Sequence, residues 1–438
     1  MPQPDSIGVD IKESSFATLA PLESLMDKCV HCGFCLSTCP SYLLLGQEMD
    51  SPRGRIYLMR AGVHDRITMS DSVVNHFDTC LGCMACETAC PSGVRYAPLI
   101  EETRAAIEHR YTRPFGDRLF RQLLFQLLPY PARLRLFALP LALVDRLRRW
   151  PRLLAKLPLR LQNLIALAPA PASEAARAGI PARTAAVGEP RARVGLVTGC
   201  VQRVFFGHVN QATARVLAAE GCEVIAPNRQ GCCGALALHA GRDDEARRFA
   251  RGLIRAFEDQ NVDSIVINAA GCGSTMKGYG ELLEKDPAWA GRARAFASKV
   301  RDVSETLAGL QPARAVRHPM TLRVAYHDAC HLAHAQGVRR EPRQLLESIP
   351  GVTLVPFAES EICCGSAGIF NLVEPEMAAQ LGRRKVAAIA ASAPDVVVTS
   401  NPGCIVQMSA NARAAGQPLR VVHLIELLDA SILGETRT

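Results

Sequence analysis

Residues 29–40 read CVHCGFCLSTCP, and residues 80–91 read CLGCMACETACP. Each stretch holds three cysteines separated by two residues, and a fourth follows after three more, directly before a proline. Thiolates at this spacing can wrap one turn of chain around three irons of a 4Fe–4S cubane. Structural zinc also takes four cysteines, but its ligands usually form two separated C-x2-C pairs. The spacing therefore predicts two 4Fe–4S clusters.

The fourth cysteine of each run is expected to serve the other run. We call residues 29–39 the first run and residues 80–90 the second run. In two-cluster ferredoxins the fourth cysteine of one run ligates the cluster held by the other. This rule predicts a first set of ligands, Cys29, Cys32, Cys35 and Cys90. It predicts a second set of ligands, Cys80, Cys83, Cys86 and Cys39.

Length and cysteine content also restrict the class of protein. The chain has 438 residues and 17 cysteines, enough length for about three domains. A chain of this size does not depend on a disulfide framework, and thiolates that ligate iron need a reducing compartment. The N-terminal residues lack a basic stretch followed by an apolar run, and no uncharged apolar run approaches about eighteen residues. We therefore expect a cytoplasmic protein without a transmembrane helix.

The N-terminal part reads as a short arm and a helical domain. Residues 1–20 are predicted to be a flexible arm, and residues 21–112 a mainly helical ferredoxin-type domain. Ser51 at the N-cap and Pro52 at the first position open a helix between the two runs. Arg53 and Arg55 in its first turn either offset the charge of a cluster or face solvent.

A basic segment follows at residues 113–167 and is rich in Leu and Arg. Residues 113–160 carry a net charge of +9 in a chain whose total is +8. Two interpretations remain open: helices in the membrane interface, with arginines on anionic headgroups, or a helical hairpin packed on protein. Nucleic acid is not expected, because leucines rather than stacking aromatics separate the arginines. An Ala/Pro linker is predicted over residues 168–190.

The remainder of the chain is an internal duplication, repeat 1 (residues 191–315) and repeat 2 (residues 316–438). Each carries a Cys-Cys-Gly (CCG) motif, and corresponding cysteines are offset by 130, 131 and 132 residues, which predicts a repeated fold. Short β-branched runs end at the single cysteines and alternate with helical stretches, so each repeat is predicted to be a parallel α/β unit. These cysteines could hold a further metal centre in one or both repeats, or none: Cys200, Cys232, Cys233, Cys272, Cys330, Cys363, Cys364 and Cys404.

Three other residues near or outside the cysteine patterns are also considered as candidates. His327 and His331 flank Cys330 and are additional candidate ligands, although a histidine in such a position is more often a satisfied hydrogen-bonding residue. Cys222 is the one cysteine outside every pattern. The predicted fold class is α+β multidomain, with a mainly helical two-cluster domain followed by two α/β CCG domains.

The two runs, the stretch SPRGRIYL at residues 51–58 and the two CCG repeats resemble the iron–sulfur subunit of glycolate oxidase over nearly the whole chain. The resemblance implies an electron-transfer subunit of a complex that oxidises glycolate, and D-lactate, to the 2-oxo acid. It implies an FAD-containing partner subunit, a second flavin-type subunit, a quinone acceptor and an isolated chain inactive on glycolate. Related CCG domains bind non-cubane clusters through a fifth cysteine, where this chain has Thr275 and Gln407.

The sequence itself also supports placing the flavin on a partner chain. No G-x-G-x-x-G opens a helix after a strand, so a flavin is expected on another chain. Delivery of electrons to a lipid-soluble quinone favours peripheral attachment to the cytoplasmic face of the inner membrane. The alternatives are a thiol/disulfide reductase acting through the CCG domains, a subunit of a related lactate or glycerol-3-phosphate dehydrogenase, and a scaffold whose clusters are purely structural.

Overall fold

The computed structural model describes residues 16–138, 150, 156–168, 179–417 and 419–435. It confirms the α+β multidomain class: a helical N-terminal region precedes two separate sheets. Within these ranges, no helix has the length and apolar character needed to cross a membrane.

Six helices build the N-terminal region around the cysteine runs. The predicted cap is present, since Ser51 Oγ accepts a hydrogen bond from the Gly54 backbone N–H at 3.0 Å. The first helix is only one turn long and ends three residues before Cys29. The six are α1 (Glu23–Met26), α2 (Pro40–Leu45), α3 (Pro52–Val63), α4 (Asp71–Asp78), α5 (Ala85–Thr88) and α6 (Tyr96–Arg110).

The flexible arm predicted over residues 1–20 requires correction at its end. A 3-10 helix spans Ala17–Leu22, and Phe16 and Leu19 are fully buried in the core of the helical region. Two apolar side chains three residues apart are enough to anchor the segment, and the Phe16 ring lies 6.4 Å from that of Phe77. Residues 1–15 are outside the described part of the chain.

The basic segment contributes α7 (Phe115–Leu127), α8 (Pro131–Ala138) and α9 (Leu159–Leu167). Leu124, Phe125 and Leu167 are buried against Ile369 and Leu372 of repeat 2. The inner side of this segment therefore packs on protein.

Its described arginines lie in ion pairs as well as in solvent. Arg113 pairs with Asp78 at 2.6 Å, and Arg121 and Arg160 each pair with Asp117 at 2.8 Å. Arg146, Arg148 and Arg149, central to the membrane interpretation, fall outside the described residues.

Repeat 1 is built on a five-stranded sheet in the order β1-β3-β2-β4-β5. Only β1 is antiparallel to its neighbour. The strands are β1 (Arg183–Thr184), β2 (Ala192–Val197), β3 (Cys222–Ile225), β4 (Ser264–Ile267) and β5 (Val300–Asp302). The helices are α10 (Val201–Phe205), α11 (Gly207–Ala219), α12 (Ala235–Leu238), α13 (Asp243–Phe257), α14 (Ala270–Lys277), α15 (Tyr279–Leu282), α16 (Ala290–Lys299) and α17 (Val303–Gly309).

The first strand corrects the predicted linker over residues 168–190. Arg183 and Thr184 pair with Ile225 and Val224, and Ile180 packs against the core. An edge strand needs only backbone hydrogen bonds, so its polar side chains did not indicate it. Residues 169–178 are not among those described.

Repeat 2 has four parallel strands in the order β7-β6-β8-β9. They are β6 (Leu322–Tyr326), β7 (Val352–Leu354), β8 (Val396–Thr399) and β9 (Val421–His423). The helices are α18 (Glu341–Glu347), α19 (Phe370–Val373), α20 (Pro375–Ala390), α21 (Pro402–Ala414) and α22 (Leu424–Leu433). As predicted, the strands β2, β4, β6 and β8 each end shortly before a cysteine.

The two repeats share one hydrophobic core. Leu196 and Val224 of repeat 1 belong to the same buried cluster as Val324 and Leu428 of repeat 2. His423 of repeat 2 also donates from Nε2 to the backbone oxygen of Asn268 in repeat 1, at 2.8 Å. The repeats therefore pack as a fixed pair, and the relative position of their cysteines follows from that packing.

Candidate metal centres

The two cysteine runs share a backbone feature at matching positions. The third and fifth residues of each loop have positive φ: His31 at 54° and Gly33 at 88° in the first run, Gly82 at 62° and Met84 at 60° in the second. Successive residues that depart from ordinary backbone geometry form concavities that receive negatively charged groups. Both loops are thus shaped to wrap around an anionic centre.

An arginine lies behind each loop. A side chain on Gly33 would place its Cβ 2.9 Å from Arg53 Nη1, and one on Gly82 would place it 3.3 Å from Arg104 Nη1. Arg53 donates to the backbone oxygen of His31 at 2.8 Å, and Arg104 donates to that of Cys80. The glycines therefore provide room for a cation against each loop.

The second ligand set surrounds one small cavity, whose lining includes Cys39, Cys80, Cys83 and Cys86. Cys39 comes from the first run, so the structure brings it to the run that the crossed assignment requires. Burial, and after it the charges of the neighbouring cysteines, raises the pKa of the Cys86 thiol well above its ordinary value. This crowding of thiols indicates a site that needs a cation to neutralise it.

The first ligand set is more open. Cys29 and Cys35 are partly buried, and Cys32 is exposed. Burial raises the pKa of the Cys35 thiol to about 11. Cys29 and Cys90 pack against the same hydrophobic core, and the assignment of Cys90 to this set stays a prediction.

Arg55 is buried beside the second set and lines the same cavity. Its guanidinium donates to Ser41 Oγ and Thr79 Oγ1, each at 3.1 Å, and lies 3.7 Å from Asp50. Burial alone would raise the pKa of the Cys80 thiol, but the charges of Arg55 and Arg104 lower it below its ordinary value. Of the two interpretations of Arg55, charge compensation fits the structure and solvent exposure does not.

The eight cysteines of the repeats gather in two groups of four, which we call tetrad 1 and tetrad 2. In tetrad 1 the sulfurs of Cys200 and Cys232 are 3.6 Å apart, and Cys233 contacts Cys232 and Cys272. In tetrad 2 the contacts run from Cys330 through Cys363 and Cys364 to Cys404.

Both tetrads line one cavity of about 430 Å³ between the repeats. Leucines of the basic segment close much of its wall, among them Leu124, Leu134 and Leu167. The cavity wall is thus largely apolar, although charged side chains such as Arg104, Arg113 and Arg121 also line it.

The second run adjoins tetrad 2. Cys83 and Cys363 belong to one buried cluster, with Cys330 packed at its edge. Burial, followed by the charge of Cys330, raises the pKa of the Cys83 thiol well above its ordinary value. The second ligand set and tetrad 2 are thus in direct contact. The two regions are far apart in the sequence: His331 of repeat 2 and Gly82 of the second run, which are hydrogen-bonded, are 249 residues apart.

The two histidines that flank Cys330 have different surroundings. His331 uses both ring nitrogens: Nε2 donates to Gly82 O at 2.9 Å and Nδ1 accepts from Ser274 Oγ at 2.8 Å. Burial lowers the pKa of His331 to about 3, so it is a neutral hydrogen-bonding residue. In contrast, a ring nitrogen of His327 and the sulfurs of Cys364 and Cys404 lie within 4.8 Å of one another.

Sequence reasoning missed Lys385. Its side chain is buried, and Nζ donates to the backbone oxygen of Ser360 at 3.4 Å. Burial lowers the pKa of Lys385, and the thiolates of Cys364 and Cys363 oppose that effect. Arg383, Arg384 and Lys385 are three consecutive basic residues, a pattern typical of a solvated helix face. No local sequence signal therefore indicated that Lys385 is buried.

Comparisons with known proteins agree with this arrangement. Residues 25–94 match the 4Fe–4S dicluster domain, and residues 194–277 and 324–409 match the cysteine-rich domain CCG. The chain is 38% identical to the probable glycolate oxidase iron–sulfur subunit of Bacillus subtilis, over 91% of this chain and 92% of that protein. It is 34% identical to the glycolate oxidase iron–sulfur subunit of Escherichia coli, over 94% and 95%.

Two further similarities are more limited. Lactate utilization protein A of Exiguobacterium is 30% identical over 55% of this chain and 98% of its own length. The crystal structure of a hypothetical protein from Helicobacter pylori covers 95% of this chain and 76% of that one, with a TM-score of 0.55 and 9% identity. The latter similarity concerns the fold alone.

Proposed function

This chain belongs to the family of iron–sulfur subunits of glycolate oxidase, and from that membership we propose that it carries electrons from a flavoprotein that oxidises glycolate, and D-lactate, towards a quinone. Electron transfer follows from the family and from the dicluster domain. The observation that best supports the proposal is the buried cavity in which Cys39 joins Cys80, Cys83 and Cys86 next to Arg55.

The residues of this chain determine the charge and the water access around a cluster bound at the second set. When bound, each 4Fe–4S cluster takes up and releases one electron at a time. The Arg55 guanidinium supplies a fixed positive charge beside the second set, and the burial of Cys39, Cys80 and Cys83 excludes water. Because a hydroxy acid releases two electrons together, two one-electron sites in series suit the stepwise oxidation of a flavin.

We place the docking of the flavoprotein at the first run. Val30 and Phe34 are large apolar side chains on either side of Cys32, and both are about two-thirds exposed, at 68% and 66%. Exposed apolar residues beside a redox ligand are suited to a partner surface. Electrons would then pass from the first set to the second set.

We propose that the outer face of α7 rests on the membrane. Phe115, Leu119 and Leu123 are spaced by four residues and form one stripe, exposed by 71%, 58% and 51%. An apolar stripe on a segment rich in arginine suits the interface with anionic lipid. This attachment, on the cytoplasmic face of the inner membrane, would bring the subunit to a lipid-soluble quinone, with the second flavin-type subunit completing the complex.

One observation favours a second candidate, a thiol/disulfide reductase. The sulfurs of Cys200 and Cys232 are 3.6 Å apart and line the cavity between the repeats, so they could exchange with a disulfide. Reduction of a disulfide by the purified chain with an artificial electron donor, lost in Cys200→Ser, would support this candidate over electron transfer to a quinone.

The main proposal is tested by reconstitution. The anaerobically purified chain is mixed with glycolate in the presence and absence of the co-expressed flavin subunits, and its clusters are followed by low-temperature EPR. Reduced-cluster signals should develop only when the flavin subunits are present. Oxidation of glycolate by the single chain, or clusters that stay oxidised in the full complex, would contradict the proposal.

A further inference from the structure

One difference between the two repeats lies directly beside their tetrads. His327 follows β6 at the position that Val197 occupies at the end of β2, three residues before the first cysteine of each tetrad. Both side chains are almost completely buried, at 1% and 0% exposure. Leaving a buried polar atom without a partner costs about 1–3 kcal/mol. Repeat 2 therefore carries this free-energy cost at His327, whereas repeat 1 has the apolar Val197 at the same position.

The hydrogen bonds of His327 leave one ring nitrogen available. Nδ1 donates to the backbone oxygen of Ser360 at 3.2 Å, which fixes the neutral tautomer with a lone pair on Nε2. Nε2 is buried and has no hydrogen-bond partner among the residues that the structure describes. Histidines that ligate metals typically donate their other ring N–H to a carbonyl oxygen in this way.

Two sulfurs complete a set of donors. A ring nitrogen of His327, Cys364 Sγ and Cys404 Sγ lie within 4.8 Å of one another, and all three residues are buried. Asn401 Nδ2 lies 3.5 Å from Cys404 Sγ and can donate to it. Among the described residues no hydrogen-bond donor reaches the His327 lone pair, so this nitrogen and the two sulfurs are available to bind a cation.

Lys385 strengthens the difference between the repeats. It donates to the same Ser360 oxygen that accepts from His327, and its charge offsets that of nearby thiolates. The corresponding stretch of α13 in repeat 1 has the buried apolar residues Leu253 and Ile254. In repeat 1 the imidazole of His239 also lies near Cys233, but no described lysine of that repeat is buried as Lys385 is.

We propose that repeat 2 binds a zinc ion through His327 Nε2, Cys364 Sγ and Cys404 Sγ, and that repeat 1 has no equivalent site. One imidazole with two thiolates is a donor set that zinc prefers. Three protein ligands leave a fourth tetrahedral position, and because both cysteines line the cavity between the repeats, that position can take a ligand from it. This site goes beyond the electron-transfer proposal, which uses only the N-terminal cysteines.

The test measures metal content in the full chain, purified anaerobically. Zinc and iron are quantified together by mass spectrometry, and about one zinc per chain is expected besides the cluster iron. His327→Val installs the residue that repeat 1 carries at this position, and it should reduce zinc to background while the iron content stays unchanged. Cys404→Ser should have the same effect.

Matched controls come from the same chain. His334→Val removes a histidine of repeat 2 whose ring nitrogens contact Thr88 Oγ1 at 3.0 Å and Glu361 O at 3.2 Å, so zinc should be retained. Cys272→Ser changes the counterpart of Cys404 in repeat 1 and should also retain zinc. Unchanged zinc in His327→Val, or equal loss in Cys272→Ser, would overturn the proposal.

X-ray absorption at the zinc edge tests the unmodified protein, so the outcome does not depend on whether a variant folds. The expected first shell contains sulfur at about 2.3 Å and nitrogen at about 2.0 Å. A shell of sulfur alone, or iron bound in place of zinc, would refute the site. Loss of the N-terminal clusters with zinc intact would count against the electron-transfer proposal only.

Discussion

His331 of repeat 2 donates from Nε2 to the backbone oxygen of Gly82, at 2.9 Å, within the loop of the second run. Its Nδ1 accepts from Ser274 of repeat 1. One imidazole therefore joins the cluster-binding region to both repeats. The distance between the second ligand set and tetrad 2 is maintained by side-chain packing and hydrogen bonds, and a partner chain is not needed to define it.

Replacing Cys39 tests the crossed assignment of ligands. We expect Cys39→Ser to damage the cluster held by Cys80, Cys83 and Cys86, because Cys39 shares their cavity. Iron should fall from about eight to about four per chain, and EPR should show the loss of one cluster. Cys222→Ser is the control, since this buried cysteine lies outside both runs and both tetrads. Loss confined to the cluster of Cys29, Cys32 and Cys35 would contradict the assignment.

Removing the Arg55 charge should lower the reduction potential of the second cluster. A cation stabilises the reduced, more negative form, so Arg55→Gln should shift the potential downward by roughly tens of millivolts. The change also removes the guanidinium that lies 3.7 Å from Asp50, but Asp50 keeps its hydrogen bonds with Thr79 Oγ1 at 2.8 Å and His76 Nδ1 at 2.9 Å. Redox titration followed by EPR measures the shift.

Arg53 provides the comparison. It lies against the first run, and about a quarter of its side chain is exposed, at 25%, so solvent weakens its field. Arg53→Gln should move the potential of the first cluster by less. Equal shifts in both variants would mean that burial does not govern the effect.

The cysteine-run loops and the N-terminal cap of α3 were predictable because their sequence signals are local. The spacing of the cysteines and the Ser51-Pro52 pair lie within a few residues of the structure they determine. The burial of Arg55 was not predictable, because Arg53 and Arg55 lie in the same helical turn and no local signal distinguishes them. Arg55 follows Gly54, which packs so closely on the Glu48 backbone oxygen that a Cβ there would clash with it.

The roles of the histidines also needed the fold. His327 lies three residues before Cys330 and His331 directly after it, and nothing in the sequence shows which of the two is a candidate ligand. The partners that distinguish them are distant in sequence, with Gly82 249 residues and Ser274 57 residues from His331.

Acidification should lower the stability of the folded chain through His423, because protonation of Nδ1 removes the acceptor for the Ile425 N–H. Burial lowers the pKa of His423 to about 4, opposed by nearby Glu426 and assisted by His208. In the unfolded chain a histidine has a pKa of about 6.5, so the unfolded state binds its proton first as the pH falls. Stability from this residue is complete above about pH 6.5 and decreases by about 1 kcal/mol by about pH 5.5.

The variant His423→Asn separates this effect from others. Asparagine can still cap α22, where His423 Nδ1 accepts from the Ile425 N–H at 3.1 Å, but it does not titrate. Its melting temperature, measured anaerobically, should therefore change less between about pH 7 and about pH 5.5 than that of the natural chain. An identical change would assign the pH dependence to other groups.

The apolar stripe of α7 should govern binding to membranes. Replacing Leu119 and Leu123 together with glutamate adds two negative charges and removes two exposed leucines. We expect the complex to sediment less with anionic vesicles, and binding by the natural complex to weaken as salt is raised. Tyr57→Glu, at an exposed position on α3, should leave sedimentation unchanged. If both variants bind as the natural complex does, the stripe is a protein surface.

The contact between Cys83 and tetrad 2 imposes an order on maturation. The N-terminal region is synthesised before repeat 2 and can fold first. Until repeat 2 docks, the thiols of the second set remain open to the machinery that delivers iron and sulfide. Once Cys363 packs against Cys83, Cys39, Cys80 and Cys83 are buried and Cys86 stays only partly exposed. We therefore expect loading of the second set to be faster before docking than after it.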